Sequence, residues 1–179
     1  MADRKALEAL FRERGYTEFK WIDSRTIVVS QWVRMKCQYG CDDYGRHACC
    51  PPNVPSVADC REFFSEYSAV VVFRFEKQVD SLEERRAWSR SVYEGLLELE
   101  REVFLSGYEK AFLLPMSSCS LCPECSGLRE ECSKPETARP TAEGLAVDVF
   151  STVRRHGFPI EVLSRYDQPM NRYAFLLIE

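Results

Sequence analysis

The chain has 179 residues and a net charge of −4, with 45% hydrophobic and 29% charged residues. That length suits one well-buried core rather than two, so we expect a single domain over residues 1–179. The acidic balance argues against the basic surface that nucleic-acid binding requires. Apolar runs such as "AVVVF" are too short to span a bilayer, and the charged start "MADRK" is unlike a signal peptide. We therefore expect a cytoplasmic protein without nucleic-acid or membrane partners.

The first half of the chain contains two predicted helices, a predicted strand and a loop rich in cysteine. "ADRKALEALFRERG" has apolar residues at helical spacing, and "TIVVSQWVRM" is predicted to be a strand or hairpin arm that leads to Cys37. The loop occupies residues 37–60. At its end, Ser56 and Asp59 form a capping-box pattern that starts the helix "VADCREFFSEY". Cys60 lies in the first turn of that helix, where the helix dipole favours a thiolate.

The second half of the chain adds strands that alternate with helices. "AVVVFRFEK" is predicted to be a strand, and a long helix that Ser81 and Glu84 cap follows it. "KAFLLPM" is a short strand that leads to a second cysteine-rich loop, residues 119–135. "TAEGLAVDVFSTVRRHG" is predicted to be a helix, and "IEVLS" and "YAFLLIE" are predicted to be strands.

The alternation of these elements indicates the fold class. Because strands and helices interleave, we predict an α/β fold with a mixed sheet of about five strands flanked by helices. Both cysteine-rich loops are predicted to follow strands and precede helices. In open α/β sheets, that end of the strands is where ligands usually bind.

The nine cysteines are the unusual feature of the composition. An odd number of cysteines in a reducing compartment argues against a disulfide framework. The thiols also fall into two groups instead of scattering through a core, and such grouping is typical of metal ligands. The two groups are Cys37, Cys41, Cys49, Cys50 and Cys60, then Cys119, Cys122, Cys125 and Cys132.

The second group begins with "CSLCPEC", which places Cys119, Cys122 and Cys125 at successive three-residue spacing, with Cys132 seven residues later. Bacterial ferredoxins hold a [4Fe–4S] cluster with a run of this kind. Zinc sites more often combine two separated cysteine pairs. The spacing therefore favours two [4Fe–4S] clusters over Zn²⁺. It leaves open whether Cys132 completes this site or the other one.

The first group has one more thiol than a four-cysteine site requires. Successive residues of an extended segment point to opposite faces, so Cys49 and Cys50 can hardly bind the same cluster. Pro51 restricts Cys50 to an extended geometry and stiffens the loop. Cys49 is therefore interpreted as a spare thiol. The predicted metal ligands of this group are Cys37, Cys41, Cys50 and Cys60.

Several motifs together resemble a known family. They are "CQYGC", "YGRHACCPPNVPSVADCREF", "KAFLLPMSSCSLCPEC" and "CSKPETARPTAEGLAVDVFSTVRRHGF". The combination resembles the DUF2284 group of predicted metal-binding proteins, found largely in anaerobic bacteria and archaea, and extends from about Cys37 to the C-terminal "NRYAFLLIE". The resemblance implies metal or cluster binding. In that family the residue before Cys-Pro-Pro is usually not cysteine, which agrees with Cys49 as the spare thiol.

The resemblance also draws attention to Arg139, Glu143 and Asp148, which precede and begin the predicted helix beside the second cysteine group. They are either an ordinary capped helix start, or a set in which Arg139 donates hydrogen bonds to cluster sulfurs or to an anionic substrate while the carboxylates orient it. His47, in the first loop, is a solvated loop residue, a ligand or a hydrogen-bond donor to a cluster sulfur.

Three functions fit these residues. The first is a small iron–sulfur protein that transfers electrons to a redox partner protein; the sequence has no glycine-rich nucleotide loop to suggest a flavin or nicotinamide. The second is a structural zinc module that presents two loops to a partner. The third is an iron–sulfur enzyme in which one cluster has an open coordination site, and it predicts a site with only three cysteines.

Overall fold

The computed structural model describes residues 2–165 and 167–179. In these residues the elements, in chain order, are α1 (Arg4–Glu13), β1 (Phe19–Ile22), a short 3-10 helix (Ser24–Thr26), α2 (Gln31–Gly40), α3 (Val57–Ser65), β2 (Val70–Lys77), α4 (Leu82–Leu105), β3 (Phe112–Leu114), α5 (Val149–Arg155) and β4 (Met170–Leu177). The strands form one sheet in the order β1-β2-β4-β3, and every neighbouring pair is antiparallel.

Both faces of the sheet are covered, which explains the long apolar run of β2. Side chains alternate between the two faces of a strand. Val71 and Phe73 pack with α1 and α4 on one face. Val70 and Val72 pack with α3 and α5 on the other. All four side chains are essentially inaccessible to water, at 0–1% exposure. Burial of this apolar surface on both sides is the main stabilising contribution to the fold.

The predicted helix starts at Ser56 and Ser81 are confirmed. The Ser56 hydroxyl accepts from the Asp59 amide, and the Asp59 carboxylate accepts from the Ser56 amide, so both bonds of the capping box are present. The Ser81 hydroxyl accepts from the Glu84 amide. The Glu84 carboxylate instead accepts from the amide of Asp80, one residue earlier than the capping box requires.

The predicted combination of one sheet with flanking helices is confirmed, but the sheet differs from the prediction in strand number and in strand direction. Four strands are present in the described residues, all antiparallel, where the sequence predicted a mixed sheet of about five. β1 was not predicted, because its alternation is only four residues long. "IEVLS" is not a strand. Its Ile160 is buried, but Val162 is 82% exposed and does not pack in the core.

The segment "TIVVSQWVRM" is also not the predicted strand. Val29 makes only an isolated bridge with Val147, and from Gln31 the chain forms α2. Val33 is the one residue of α2 that is buried, and the remainder of the helix is polar or partly exposed. The β-branched residues before Ser30 suggested a strand, but no neighbouring strand pairs with them beyond that bridge in the described part of the chain. Cys37 therefore lies in a helix.

The predicted helix "TAEGLAVDVFSTVRRHG" forms only in its second half. Residues 142–146 make turns, and Ala146 has a positive φ of 62°, a left-handed conformation that interrupts a right-handed helix. α5 then begins at Val149. Asp148 is its N-cap, and its carboxylate accepts from the Ser151 amide at 2.9 Å.

The strand directions bring several loops to one end of the sheet. β2 and β3 are both antiparallel to β4, so they run in the same direction and end at the edge where β4 begins. The start of α4 and the segment after β3 therefore meet near Arg172 of β4. No helix in residues 2–165 or 167–179 is long and apolar enough to cross a membrane.

A buried carboxylate ties α4 to β3. Glu100 is 5% exposed, and its Oε1 accepts from the Leu113 amide of β3 at 2.8 Å and from Arg139 Nε at 2.9 Å. The three groups come from a helix, a strand and a loop that are far apart in sequence. Because a buried carboxylate without partners is costly, this pairing fixes the three segments relative to one another.

We expect Glu100→Ala to lower the free energy of unfolding by about 3 kcal/mol, because the Leu113 amide and Arg139 lose their partner. The estimate is at the lower end for a broken buried pair, since the Arg139 side chain is 20% exposed and regains some water. Urea denaturation measures the change. Glu98→Ala, at an exposed position of the same helix, is the control and should change stability by less than about 0.5 kcal/mol; equal effects of the two substitutions would contradict the prediction.

Candidate metal centre

Three cysteines of the first group border one small cavity. Cys37, Cys41 and Cys50 line a space of about 190 Å³. Cys37 lies in the last turns of α2 and Cys41 immediately follows the helix, so the four-residue spacing places them about one turn apart. Cys50 comes to them from the loop, and its Sγ lies 4.0 Å from Ser118 Oγ.

The pKa values show that these three thiols are electrostatic neighbours. The pKa of Cys50 is raised to about 11, mainly by burial and also by the proximity of Cys37 and Cys41. Burial, followed by the proximity of Cys41, also raises the pKa of Cys37. Close thiols resist simultaneous ionisation in the absence of a cation. A bound metal would remove that resistance, because it stabilises the thiolate form.

The other thiols border a second cavity of about 400 Å³. The cysteines lining it are Cys49, Cys119, Cys122, Cys125 and Cys132. The four members of the predicted second group are therefore together, and Cys49 joins them. The amide of Ala48 donates to Cys125 Sγ at 3.3 Å, and Cys122 Sγ lies 3.3 Å from Ser133 Oγ.

Cys49 and Cys119 are neighbouring thiols, and each changes the pKa of the other. The hydrogen bond from Cys49 lowers the pKa of Cys119, and the Leu121 amide and the Tyr93 hydroxyl lower it further. The same bond raises the pKa of Cys49, with burial as the next cause. Tyr93 is fully buried and its hydroxyl also accepts from the Arg139 amide at 2.9 Å. Cys119 is thus the thiol that the surrounding protein best stabilises as a thiolate.

The two cysteine loops are docked on each other. The Asn53 side-chain amide donates to the carbonyl oxygens of His47 at 3.2 Å and of Gly127 at 2.6 Å, joining the first loop to the second. Cys49 and Cys50 lie on opposite sides of this junction, one at each cavity. The sequence argument that the two neighbours face different sites agrees with this placement, although the backbone there forms turns and not an extended strand.

Cys60 is buried and lines neither of the two cysteine cavities. Its side chain is 1% exposed, and its Sγ donates to the Pro55 carbonyl at 3.7 Å. Burial raises its pKa, with Arg34 opposing the effect, so the thiol form of Cys60 is favoured although it lies at the start of a helix. Cys60 does not line either cavity within the described residues.

The other predicted site residues occupy three different environments. Glu143 lines the cavity of Cys37, Cys41 and Cys50, where burial raises its pKa. The guanidinium of Arg139 is bound by Glu100 and by the Glu136 carbonyl. Its contact with the cysteines is indirect and runs through Tyr93.

Of the two remaining predicted site residues, His47 lines a cysteine cavity and Asp148 does not. Asp148 caps α5 and, among the residues described, is not part of the lining of either cysteine cavity. His47 lines the second cavity; its Nε2 lies 3.8 Å from Asp43, and its Nδ1 is buried without a hydrogen-bond partner. A positive His47 lowers the pKa of Cys119.

Some residues of this region were not predicted. Arg172, Ser117 and Ser118 line the first cavity beside the cysteines, and Ser117 Oγ is buried without a hydrogen-bond partner. Ser117 and Ser118 immediately precede Cys119 in the sequence, so their presence at the site could have been predicted. Arg172 and Tyr93 lie far from any cysteine in sequence, and only the packing of β4 and α4 brings them to the site.

Two comparisons bear on the class of protein. The model of the DUF2284 family, described as predicted metal-binding proteins, matches residues 20–178. The chain belongs to this family, and the resemblance drawn from its cysteine motifs is confirmed. No curated protein and no solved structure matched the chain. In residues 2–165 and 167–179, no three cysteine, histidine or acidic side chains are grouped closely enough to hold a metal ion.

The thiol pKa values predict an order of reactivity. In the metal-free, reduced protein at pH 7, we expect iodoacetamide to alkylate Cys119 faster than Cys50, because the pKa of Cys119 is lowered and that of Cys50 is raised to about 11. Mass spectrometry of tryptic peptides gives both rates. Tyr93→Phe removes one hydrogen bond to Cys119 and should slow its alkylation without changing that of Cys50. Faster alkylation of Cys50 in the unsubstituted protein would contradict the prediction.

Proposed function

We propose that this protein binds two [4Fe–4S] clusters and transfers electrons to a redox partner protein. The observation that supports it best is the arrangement of the cysteines around two neighbouring cavities. Eight of the nine thiols line them, with Cys49 and Cys50 on opposite sides of one short loop. Two redox centres held in this way would lie close enough together for electrons to pass between them.

The size of the cavities favours clusters over Zn²⁺. A structural zinc ion is enclosed directly by its four ligands at about 2.0–2.3 Å and leaves no cavity between them. The cavities that these thiols border, together with other residues, have volumes of about 190 and 400 Å³, which leaves room for a larger body of iron and sulfide. The three-residue spacing of Cys119, Cys122 and Cys125 favours the same conclusion.

The residues present match such clusters in donor type and number, while in the described part of the chain no three of them are grouped closely enough to hold a single metal ion, so binding would draw the thiols together. Cys119, Cys122, Cys125 and Cys132 would hold one cluster, with Cys49 as a competing fifth thiol. Cys37, Cys41 and Cys50 would hold the other, and Cys60 is the candidate for its fourth ligand. A [4Fe–4S] cluster supplies one-electron transfer at a potential that depends on hydrogen bonds to its sulfurs. In this chain the Ala48 amide and the Ser133 hydroxyl lie at cysteine sulfurs and are placed to raise that potential.

We expect protein prepared without oxygen to contain about eight iron atoms and about eight acid-labile sulfides per chain. Cys122→Ser and Cys50→Ser should each remove about half of the iron, because each takes a ligand from a different site. Iron, sulfide and zinc analysis of folded, anaerobic protein measures this. About two zinc ions per chain with no sulfide would contradict the proposal and support the structural zinc module.

A second candidate function is an iron–sulfur enzyme, and the first cavity favours it. Only three thiols line this cavity, and a cluster with three thiolate ligands keeps one iron open to a substrate. The other groups that line it include Glu143, Thr141 and Arg172, which are polar groups suited to holding a substrate. Cys60, the remaining ligand candidate, makes its hydrogen bond to Pro55 instead.

Substitution of Cys60 distinguishes the two functions. If Cys60 is a ligand, we expect Cys60→Ser and Cys60→Ala to lose about half of the iron, as Cys50→Ser does. If the first cluster has three thiolates, the Cys60 variants keep all of it. Full iron content in both Cys60 variants would favour the enzyme, and loss of half would favour electron transfer. Circular dichroism confirms that each variant is folded, which matters because Cys60 is buried.

A further inference from the structure

A third and larger cavity lies between the cysteine cavities and α4. It has a volume of about 780 Å³, within the usual range for small-molecule sites. One wall is the first half of α4, which contributes Arg85, Arg86 and Arg90. The opposite wall includes Ser117, Ser118 and Ser120, together with Arg172 of β4.

This cavity is shared with both cysteine groups. Asp43 and Ser118 line all three cavities. Arg172 also lines the cavity of Cys37, Cys41 and Cys50. Arg86 and Arg90 also line the cavity of the second group. A molecule bound in the large cavity would therefore contact the surroundings of both cysteine groups.

The arginines of α4 are not engaged by the protein itself. Arginines elsewhere pair with carboxylates, as Arg14 does with Glu102 and Arg139 with Glu100. Within the described part of the chain, the guanidinium groups of Arg85, Arg86 and Arg90 form neither an ion pair nor a hydrogen bond. Arg86 and Arg90 are one helical turn apart, a spacing at which like charges repel. The helix thus presents neighbouring positive charges that form no ion pair with a carboxylate in the described residues.

Carboxylates also line the cavity, and they do not neutralise it. The cavity lining contains four arginines and three carboxylates, those of Asp43, Glu83 and Glu94. The formal charge of the lining is therefore +1, although the net charge of the chain is −4. None of the three forms an ion pair with those arginines in the residues that the structure describes. Serine hydroxyls supply further hydrogen-bond donors, and Ser117 Oγ has no partner. Arginine forks and hydroxyl donors are the groups that recognise phosphate and carboxylate oxygens.

We propose that the large cavity binds a small molecule carrying two or more phosphate or carboxylate groups, which Arg86 and Arg90 hold from one side and Arg172 from the other. The ligand lies between the two cysteine groups, in the position of a substrate or of a regulator of their chemistry. Binding of the ligand does not depend on which metal the cysteines hold, so it goes beyond the proposed electron transfer and can be tested separately.

The test is isothermal titration calorimetry of the full chain, prepared without oxygen, with two probes. 1,3-Propanediol bisphosphate represents phosphate groups and tricarballylate represents carboxylates, both at constant ionic strength in chloride. We expect at least one probe to bind, and the tighter one identifies the acidic group. The double variant Arg86→Ala, Arg90→Ala should weaken that binding at least tenfold, because it removes two bidentate donors.

Arg101→Ala is the matched control: Arg101 is an exposed arginine of the same helix and does not line the cavity. It should bind the probe as the unsubstituted protein does. Thermal unfolding without probe shows whether each variant folds; Arg86→Lys, which keeps the charge but loses the fork, provides a milder second variant and should bind with intermediate affinity.

Three binding results would overturn the proposal. They are the absence of binding by either probe, equal binding by the double variant, and an equal loss in Arg101→Ala, which would mean an unspecific effect of net charge. A double variant that changes only the reduction potential of the protein would likewise show that the arginines offset cluster charge and bind no ligand. Iron and sulfide content is measured on the same samples, so failure of the cluster proposal is recorded independently.

Discussion

The buried carboxylate of Glu100 is the interaction on which the candidate site depends. It joins α4 to the Leu113 amide of β3 and to Arg139, which follows the second cysteine loop. Tyr93, about two turns earlier on α4, binds the Arg139 amide and contacts Cys119. One helix is therefore fixed at its second half by a buried ion pair, and its first half is held over the cysteine loops. The position of the α4 arginines follows from this anchoring.

The two cysteine loops depend on each other as much as on the sheet. They contain little apolar side chain of their own, and their contacts are mostly polar, such as those of Asn53 with His47 and Gly127. A bound metal would stabilise the folded loops, to which apolar packing contributes little, since metal binding and folding are coupled in such sites. The same arrangement explains how a short loop serves two cavities: the turn at Cys49 and Cys50 directs successive thiols to opposite sides.

Prediction from sequence succeeded where the signal was local. The capping of α3 by Ser56 and Asp59 and the apolar run of β2 depend on residues a few positions apart, and both are present. The errors fell where distant partners decide the conformation. "TIVVSQWVRM" has β-branched residues but lacks a partner strand, so it becomes α2; Ala146 takes a left-handed conformation that divides a sequence with a good helical pattern. The prediction of a mixed sheet was wrong because strand direction depends on the position of β4, which lies between β2 and β3.

For the site, the sequence by itself determined the kind of chemistry. Thiols at metal-ligand spacing indicate metal binding, in agreement with the family, since coordination depends on donor type and on short-range spacing that the chain preserves. Only the tertiary structure decided how those thiols are divided. It places Cys49 with the second group and leaves Cys60 out of the lining of both cysteine cavities, and it brings Arg86, Arg90 and Arg172 to the large cavity beside them. The physical reason is that cavities form between elements distant in sequence. Their lining depends on how helix and sheet pack, which no local pattern encodes.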